Sequence, residues 1–91
     1  MLKKNKIKKI EARLEVVEKE ITYYENLSRE VTEMRFILMK LSKSDNDDET
    51  VNTIKEIEEK IHNLNCYFLG SMFRLMDERD VLDSERWRLI H

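Results

Sequence analysis

The chain contains no proline and only one glycine, Gly70, among its 91 residues. Sheet-rich folds need turn residues about every 8–12 positions, and this sequence lacks the residues that usually make those turns. Hydrophobic residues make up 41% of the chain, which is enough to support a packed structure. The composition therefore predicts a small all-α protein.

Apolar side chains recur through the first half of the sequence with the spacing of a coiled coil. They are Ile7, Ile10, Leu14, Val17, Ile21, Tyr24, Leu27, Val31, Met34, Leu38 and Leu41. The steps alternate between three and four residues, except for a second step of three between Tyr24 and Leu27. This pattern predicts a first helix over about residues 2–42.

Residues 43–49 form the one clear interruption, an acidic turn that separates two helices of a single domain spanning 1–91. Asn46 and Glu49 have the spacing of a capping box, which indicates the start of a second helix over about residues 50–91. Its apolar residues Ile54, Ile61, Phe68, Leu75, Leu82 and Leu89 recur every seven positions. The stretch 77–84 is less apolar, and a kink or a break into a short third helix is an alternative there.

The two heptad patterns are in register about the turn. Five pairs of apolar residues are equidistant from Asn46: Leu38 with Ile54, Val31 with Ile61, Tyr24 with Phe68, Val17 with Leu75, and Ile10 with Leu82. Antiparallel helices joined at a turn bring such residues to the same level. The sequence therefore predicts an antiparallel long-helix hairpin with coiled-coil-like packing.

Several large apolar residues are left over once that seam is assigned. They cluster with the one glycine in the middle of both helices, as Val16, Tyr23, Tyr67, Leu69, Gly70, Met72, Phe73 and Met76. A helix that is apolar on more than one side is usually covered on more than one side. We expect this belt to be the interface of a homodimer that forms a four-helix bundle. A monomeric three-helix bundle, with 80–91 folded back, and a docking site for a different protein are the alternatives.

Charge is sorted along the chain. Residues 1–10 carry five lysines and no acid, whereas residues 44–60 carry seven acids and two lysines, a net charge of −5. A hairpin places these segments at opposite ends. Two such rods are expected to pair head to tail, so that unlike ends lie together.

The basic end is a candidate contact for nucleic acid or for a partner protein. Its residues are Lys3, Lys4, Lys6, Lys8 and Lys9, with Arg86, Trp87 and Arg88 brought beside them by the hairpin. A basic patch with an aromatic residue suits a phosphate backbone. The predicted architecture is similar in shape to small RNA-binding hairpin dimers such as the plasmid copy-number regulator Rop, and that resemblance implies nucleic-acid binding. Trp87 with its flanking arginines is the alternative contact for an external protein.

Other chemistry has weaker support. His62 and Cys66 are four residues apart and provide half of a metal site, and the acids of 45–56 follow a calcium-loop spacing except that Thr50 replaces the required glycine. The chain is similar in size and helical shape to all-helical chorismate mutases. In that family, however, the second helix supplies basic residues that hold the substrate, and here the second helix begins with acidic residues. We expect no enzyme activity, cofactor or metal. With one cysteine and no long apolar segment, the sequence predicts a cytoplasmic regulator, inhibitor, adaptor or assembly factor that acts through protein–protein contacts.

Overall fold

The computed structural model describes residues 2–44 and 47–91, and it consists of two long helices. Helix α1 spans Leu2–Ser42 and α2 spans Asp48–Ile90. They pack side by side in a rod of 70 × 15 × 14 Å. The prediction of an all-α long-helix hairpin is confirmed. Dimerisation into a four-helix bundle stays a prediction.

The start of α2 is fixed by Asp47. Its carboxylate accepts a hydrogen bond of 2.7 Å from the backbone N–H of Thr50. Hydrogen bonding from the Thr50 side chain, and then from this backbone N–H, lowers the pKa of Asp47. Asp48 and Glu49 follow in the first turn, where the helix dipole favours negative charge. The expected cap, Asn46, lies outside the described residues, and the structure places the capping role on Asp47.

Helix α2 continues without a break through 77–84 to Ile90. Two ion pairs tie this stretch to α1: Arg13 with Glu78 at 2.7 Å and Arg79 with Glu18 at 3.7 Å. Residues 80–91 therefore extend the hairpin, and the alternative in which they fold back as a third helix is wrong.

Contacts between the helices have the predicted register. The rings of Tyr24 and Phe68, which are equidistant from Asn46, have centroids 6.2 Å apart. Arg13 contacts Glu78, and Ser28 contacts Asn65, in each case within one residue of the same relation. The turn position alone was enough to predict how the helices pair.

The seam differs from the sequence expectation after Tyr24. It continues through Ser28, whose hydroxyl donates a 2.6 Å hydrogen bond to the side-chain oxygen of Asn65, and then through buried Val31. The alternative step of three residues would have put Leu27 in that place. Three residues turn an α-helix by about 300°, which is about 60° short of a full turn. Leu27, and the residues that follow it at intervals of seven, therefore lie beside the seam and not in it.

Consequently, the apolar line that continues from Leu27 is turned outward. Met34 and Leu41, both expected in the seam, are 47% and 51% exposed. The buried apolar core is correspondingly small and consists of Ile10, Leu14, Val17, Ile21, Val31, Ile54 and Ile61. Ser71 is the one buried polar residue among those that the structure describes.

Ile21→Ala should destabilise the hairpin by about 2–5 kcal/mol, because it leaves a cavity beside a side chain that is almost fully buried. Urea unfolding followed by circular dichroism, at one fixed protein concentration, measures this loss. Ile90→Ala is the matched control, since exposed Ile90 should change stability by no more than about 0.5 kcal/mol. Equal effects of the two variants would contradict the assigned core.

Candidate interaction surfaces

More large apolar side chains are exposed than buried. Among residues 2–44 and 47–91, fifteen large hydrophobic residues are exposed and seven hydrophobic residues are buried. A two-helix rod has a single seam, so any apolar residue that does not point at the other helix must face outward. The candidate sites are therefore surfaces rather than an enclosed pocket.

Four aromatic rings form a chain across the middle of the rod. Tyr24 and Phe68 meet in the seam, Tyr23 packs edge-on against Tyr24 at 5.5 Å, and Tyr67 packs edge-on against Phe68 at 5.9 Å. The outer two rings are about 60% exposed. Tyr24 and Tyr67 line one groove, which defines the tyrosine side of the rod.

The opposite side has a different composition. Met72 lies five residues from Tyr67, which corresponds to about 140° around the helix, and it lines a separate groove with Ser28 and Thr32. Leu69, Phe73 and Met76 share its helix face, which defines the methionine side. At this groove, α1 contributes the polar residues Glu25, Ser28, Arg29 and Thr32. Nearer the turn, Thr32 lines a further groove with Phe36 and Met39 of the same helix.

The predicted belt is thus divided by the seam into two surfaces. Val16 and Tyr23 are one heptad apart and belong with Tyr67 on the tyrosine side. Leu69, Met72, Phe73 and Met76 belong on the methionine side, with Leu69, Met72 and Met76 partly covered by the hairpin itself. Gly70 is exposed, and a Cβ added there meets no atom within 4 Å.

The tyrosine side is most apolar in the half of the rod nearest the turn. Met34, Ile37 and Leu38 of α1 line a groove there with Ile57 and Ile61 of α2. We call the exposed part of this region the loop-proximal face, consisting of Tyr23, Met34, Ile37, Ile57, Leu64 and Tyr67. Sequence reasoning missed Ile57 and Leu64, although their separation of seven residues was a detectable signal.

The other half of the tyrosine side is charged. Arg13 binds both carboxylate oxygens of Glu78, with distances of 2.7 and 3.0 Å. This hydrogen bonding raises the pKa of Arg13 and lowers the pKa of Glu78. Glu20 and Arg74 line the adjoining groove. The loop-proximal face therefore ends near mid-rod.

The five lysines of the basic end lie at the start of α1. Lys3, Lys4, Lys6, Lys8 and Lys9 are all exposed, and within the described residues none of them forms an ion pair. Arg86 pairs with Asp83 at 3.4 Å. Trp87 is 63% exposed, lines a shallow groove with Arg88, and packs on the ring of His91 at 4.8 Å.

Two further points concern metal and membrane chemistry. The Sγ of Cys66 lies 3.6 Å from Nε2 of His62, but the described part of the chain holds no cluster of three or more potential metal ligands. Neither helix, over its described residues, combines the length and apolarity needed to cross a bilayer.

No protein-family model matches the chain, and no curated protein or solved structure shows significant similarity to it. Function must therefore be inferred from the surfaces themselves.

Gly70→Ala should stabilise the hairpin by up to about 1 kcal/mol, because glycine is unfavourable within a helix and the added methyl group meets open space. Thermal unfolding at several protein concentrations tests this. A loss of stability that depends on concentration would contradict the prediction and show that another backbone packs against Gly70.

Proposed function

We propose that this protein acts by binding other polypeptides through its exposed apolar surface, and that it associates with itself to form a four-helix bundle. The proposal rests on the solvent-accessible area of the chain, which is larger than that of a compact protein of the same mass. The chain exposes 7328 Å², whereas a compact protein of 11.1 kDa exposes about 5,700 Å². The difference is about 1,600 Å².

The size of this excess suits a stable interface. Typical specific interfaces bury about 800 Å² on each partner. A second hairpin could cover that much and still leave apolar surface for a different partner. The exposed residues are also of the right kind, because aromatic and methionine side chains provide large or adaptable contact areas.

This role fits a regulator, inhibitor, adaptor or assembly factor. Such proteins need a surface and no catalytic group. The rod provides two apolar sides that differ in chemistry, one rich in tyrosine and isoleucine and the other in methionine and phenylalanine. Two distinct sides allow one to mediate self-association while the other binds a partner.

Sedimentation equilibrium of the wild-type chain tests self-association. We expect a species of about 22 kDa, twice the chain mass of 11.1 kDa, at micromolar concentration. An 11 kDa species throughout the micromolar range would contradict the proposed bundle.

Nucleic-acid binding is a second candidate function, supported by the lysines of the basic end. Five exposed ammonium groups on two turns of helix, together with Arg88 and an exposed indole, form a concentrated positive patch. Lysines that have no carboxylate partner can neutralise phosphates, and the released counterions make such binding strongly salt-dependent. The shape shared with Rop-like hairpins is consistent with this role.

A fluorescence anisotropy titration with an RNA hairpin and with duplex DNA, at about 50 mM salt, tests this candidate. The triple variant Lys3→Gln, Lys4→Gln and Lys6→Gln should weaken binding and reduce its salt dependence. The control variant Lys40→Gln, Lys43→Gln and Lys55→Gln removes equal charge from the opposite end. Equal losses in both variants, or no binding by the wild type, would exclude the basic end as a nucleic-acid site.

A further inference from the structure

We propose that the basic end of the rod binds an anionic phospholipid surface end-on, with Trp87 inserted among the lipid headgroups. The site is the end cap, which consists of residues 2–6 of α1 and 86–90 of α2. The hairpin register places the two segments at one level, since Leu2 and Ile90 are equidistant from Asn46. The end cap lies beyond the apolar belt, so a lipid surface would be a partner in addition to the polypeptides proposed above.

The end cap combines basic with apolar side chains and contains no acid. Its basic residues are Lys3, Lys4, Lys6, Arg86 and Arg88. Its apolar residues are Leu2, Trp87, Leu89 and Ile90. Lysine, arginine, tryptophan and aliphatic side chains are those that proteins place at a bilayer interface. The cations are attracted to anionic headgroups, and the apolar groups enter the boundary between headgroups and acyl chains.

The apolar residues of the end cap face water. Leu2, Trp87 and Ile90 are 80%, 63% and 54% exposed. Three residues separate Trp87 from Ile90, which corresponds to about 4.5 Å along the helix axis, so an end-on contact can immerse both to a shallow depth. A nucleic acid can stack a base on the indole, but it offers no apolar boundary for Leu2 and Ile90. The exposed aliphatic residues therefore favour a bilayer over a phosphate backbone.

The lysines at the start of α1 surround the helix and do not form a stripe. At about 100° per residue, the largest gap around the axis between neighbouring lysines is about 100°. All five are exposed, including those at positions 8 and 9 just behind the end cap. A stripe would suit a duplex lying along one side of the rod. A collar of cations around the end suits a flat surface that the rod meets end-on.

Acidic side chains begin directly behind the end cap. Asp83 and Glu85 are the nearest on α2, and Glu11 is the nearest on α1. Asp83 binds Arg86 at 3.4 Å and offsets part of its charge. A duplex along the rod would meet these carboxylates, whereas a flat surface at the end meets the cations first. The acidic segment 44–60 lies at the other end of a 70 Å rod, several Debye lengths from the bound surface.

Trp87 is the only tryptophan in the chain, so its fluorescence reports directly on the end cap. Vesicles of phosphatidylcholine with about a quarter phosphatidylserine, at about 50 mM salt, should shift its emission to shorter wavelength. Vesicles of the same headgroups with brominated acyl chains should quench it, because an inserted indole lies within reach of those chains. A head-to-tail partner would bring its acidic segment beside the end cap, so the titration is made at the lowest chain concentration that the fluorescence allows.

Phosphatidylcholine vesicles without phosphatidylserine should produce neither the shift nor the quenching, because the attraction of the lysines is then lost. Binding to anionic vesicles without quenching would show that charge alone attracts the rod, and it would overturn the insertion of Trp87. If the chain binds an RNA hairpin or duplex DNA at the same salt and leaves the anionic vesicles unbound, the end cap is a nucleic-acid site and the lipid assignment is wrong.

Vesicle co-sedimentation tests the cations. Each lysine near an anionic surface contributes about fivefold to binding, so Lys3→Gln, Lys4→Gln and Lys6→Gln together should lower the partition coefficient about a hundredfold. The control removes equal charge from the opposite end of the rod and should change the coefficient by less than about threefold. It carries Lys40→Gln, Lys43→Gln and Lys55→Gln. Equal losses in the two variants would overturn the assignment to the end cap.

A second pair of variants tests the end-on orientation. Trp87→Ala should lower the partition coefficient about tenfold or more, because it removes the inserted ring. Phe73 lies two heptads before Trp87 on the same face of α2 and is 56% exposed, so Phe73→Ala is the matched control and should change it by less than about threefold. Circular dichroism checks that both variants stay helical. Equal losses would show that this face, and not the end, contacts the bilayer.

Discussion

The hydrogen bond between Ser28 and Asn65 marks the point on which the arrangement of this hairpin depends. It places a polar pair within the seam and keeps α1 in the regular alternation of three and four residues. An apolar layer at Leu27 would have required a local overwinding of the helix. With this polar pair in the seam, the apolar line through Met34 faces outward.

The outward position of these apolar residues explains why one side of the rod exposes a hydrophobic surface. Two helices can bury only the residues that face each other, and here these are seven hydrophobic side chains over more than 40 residues of each helix. Such a core gives little stabilisation against the conformational entropy of the chain. Additional burial between chains would supply what the seam lacks, so association and stability are expected to be linked.

Much of the fold could be predicted because it depends on periodicity and on the position of one turn. The Tyr24–Phe68 contact followed from their equal distance from Asn46. The placement of Met34 did not, because apolar spacing alone does not show whether a helix follows a stammer or accepts a polar layer. The choice depends on Asn65, which lies 37 residues away and is adjacent to Ser28 only in the folded hairpin.

The candidate surfaces were predicted less well for a related reason. The sequence predicted the position of the belt residues along the length of the rod. That position does not show on which of the two sides of the hairpin each residue lies. Tyr67 and Met72 are five residues apart in sequence and face different grooves. Assigning them to sides requires the direction of the seam, and that direction depends on which residues the other helix contacts.

The elongated shape has a consequence for how the molecule moves in solution. Its radius of gyration is 20.3 Å, whereas a compact chain of 91 residues has about 12 Å. A radius of 20.3 Å would suit a compact protein of about 350 residues. A single hairpin is therefore expected to diffuse more slowly than a globular protein of equal mass, and the rod can span a distance that such a protein cannot. Its length lets it touch two sites roughly 70 Å apart with one continuous, stiff element.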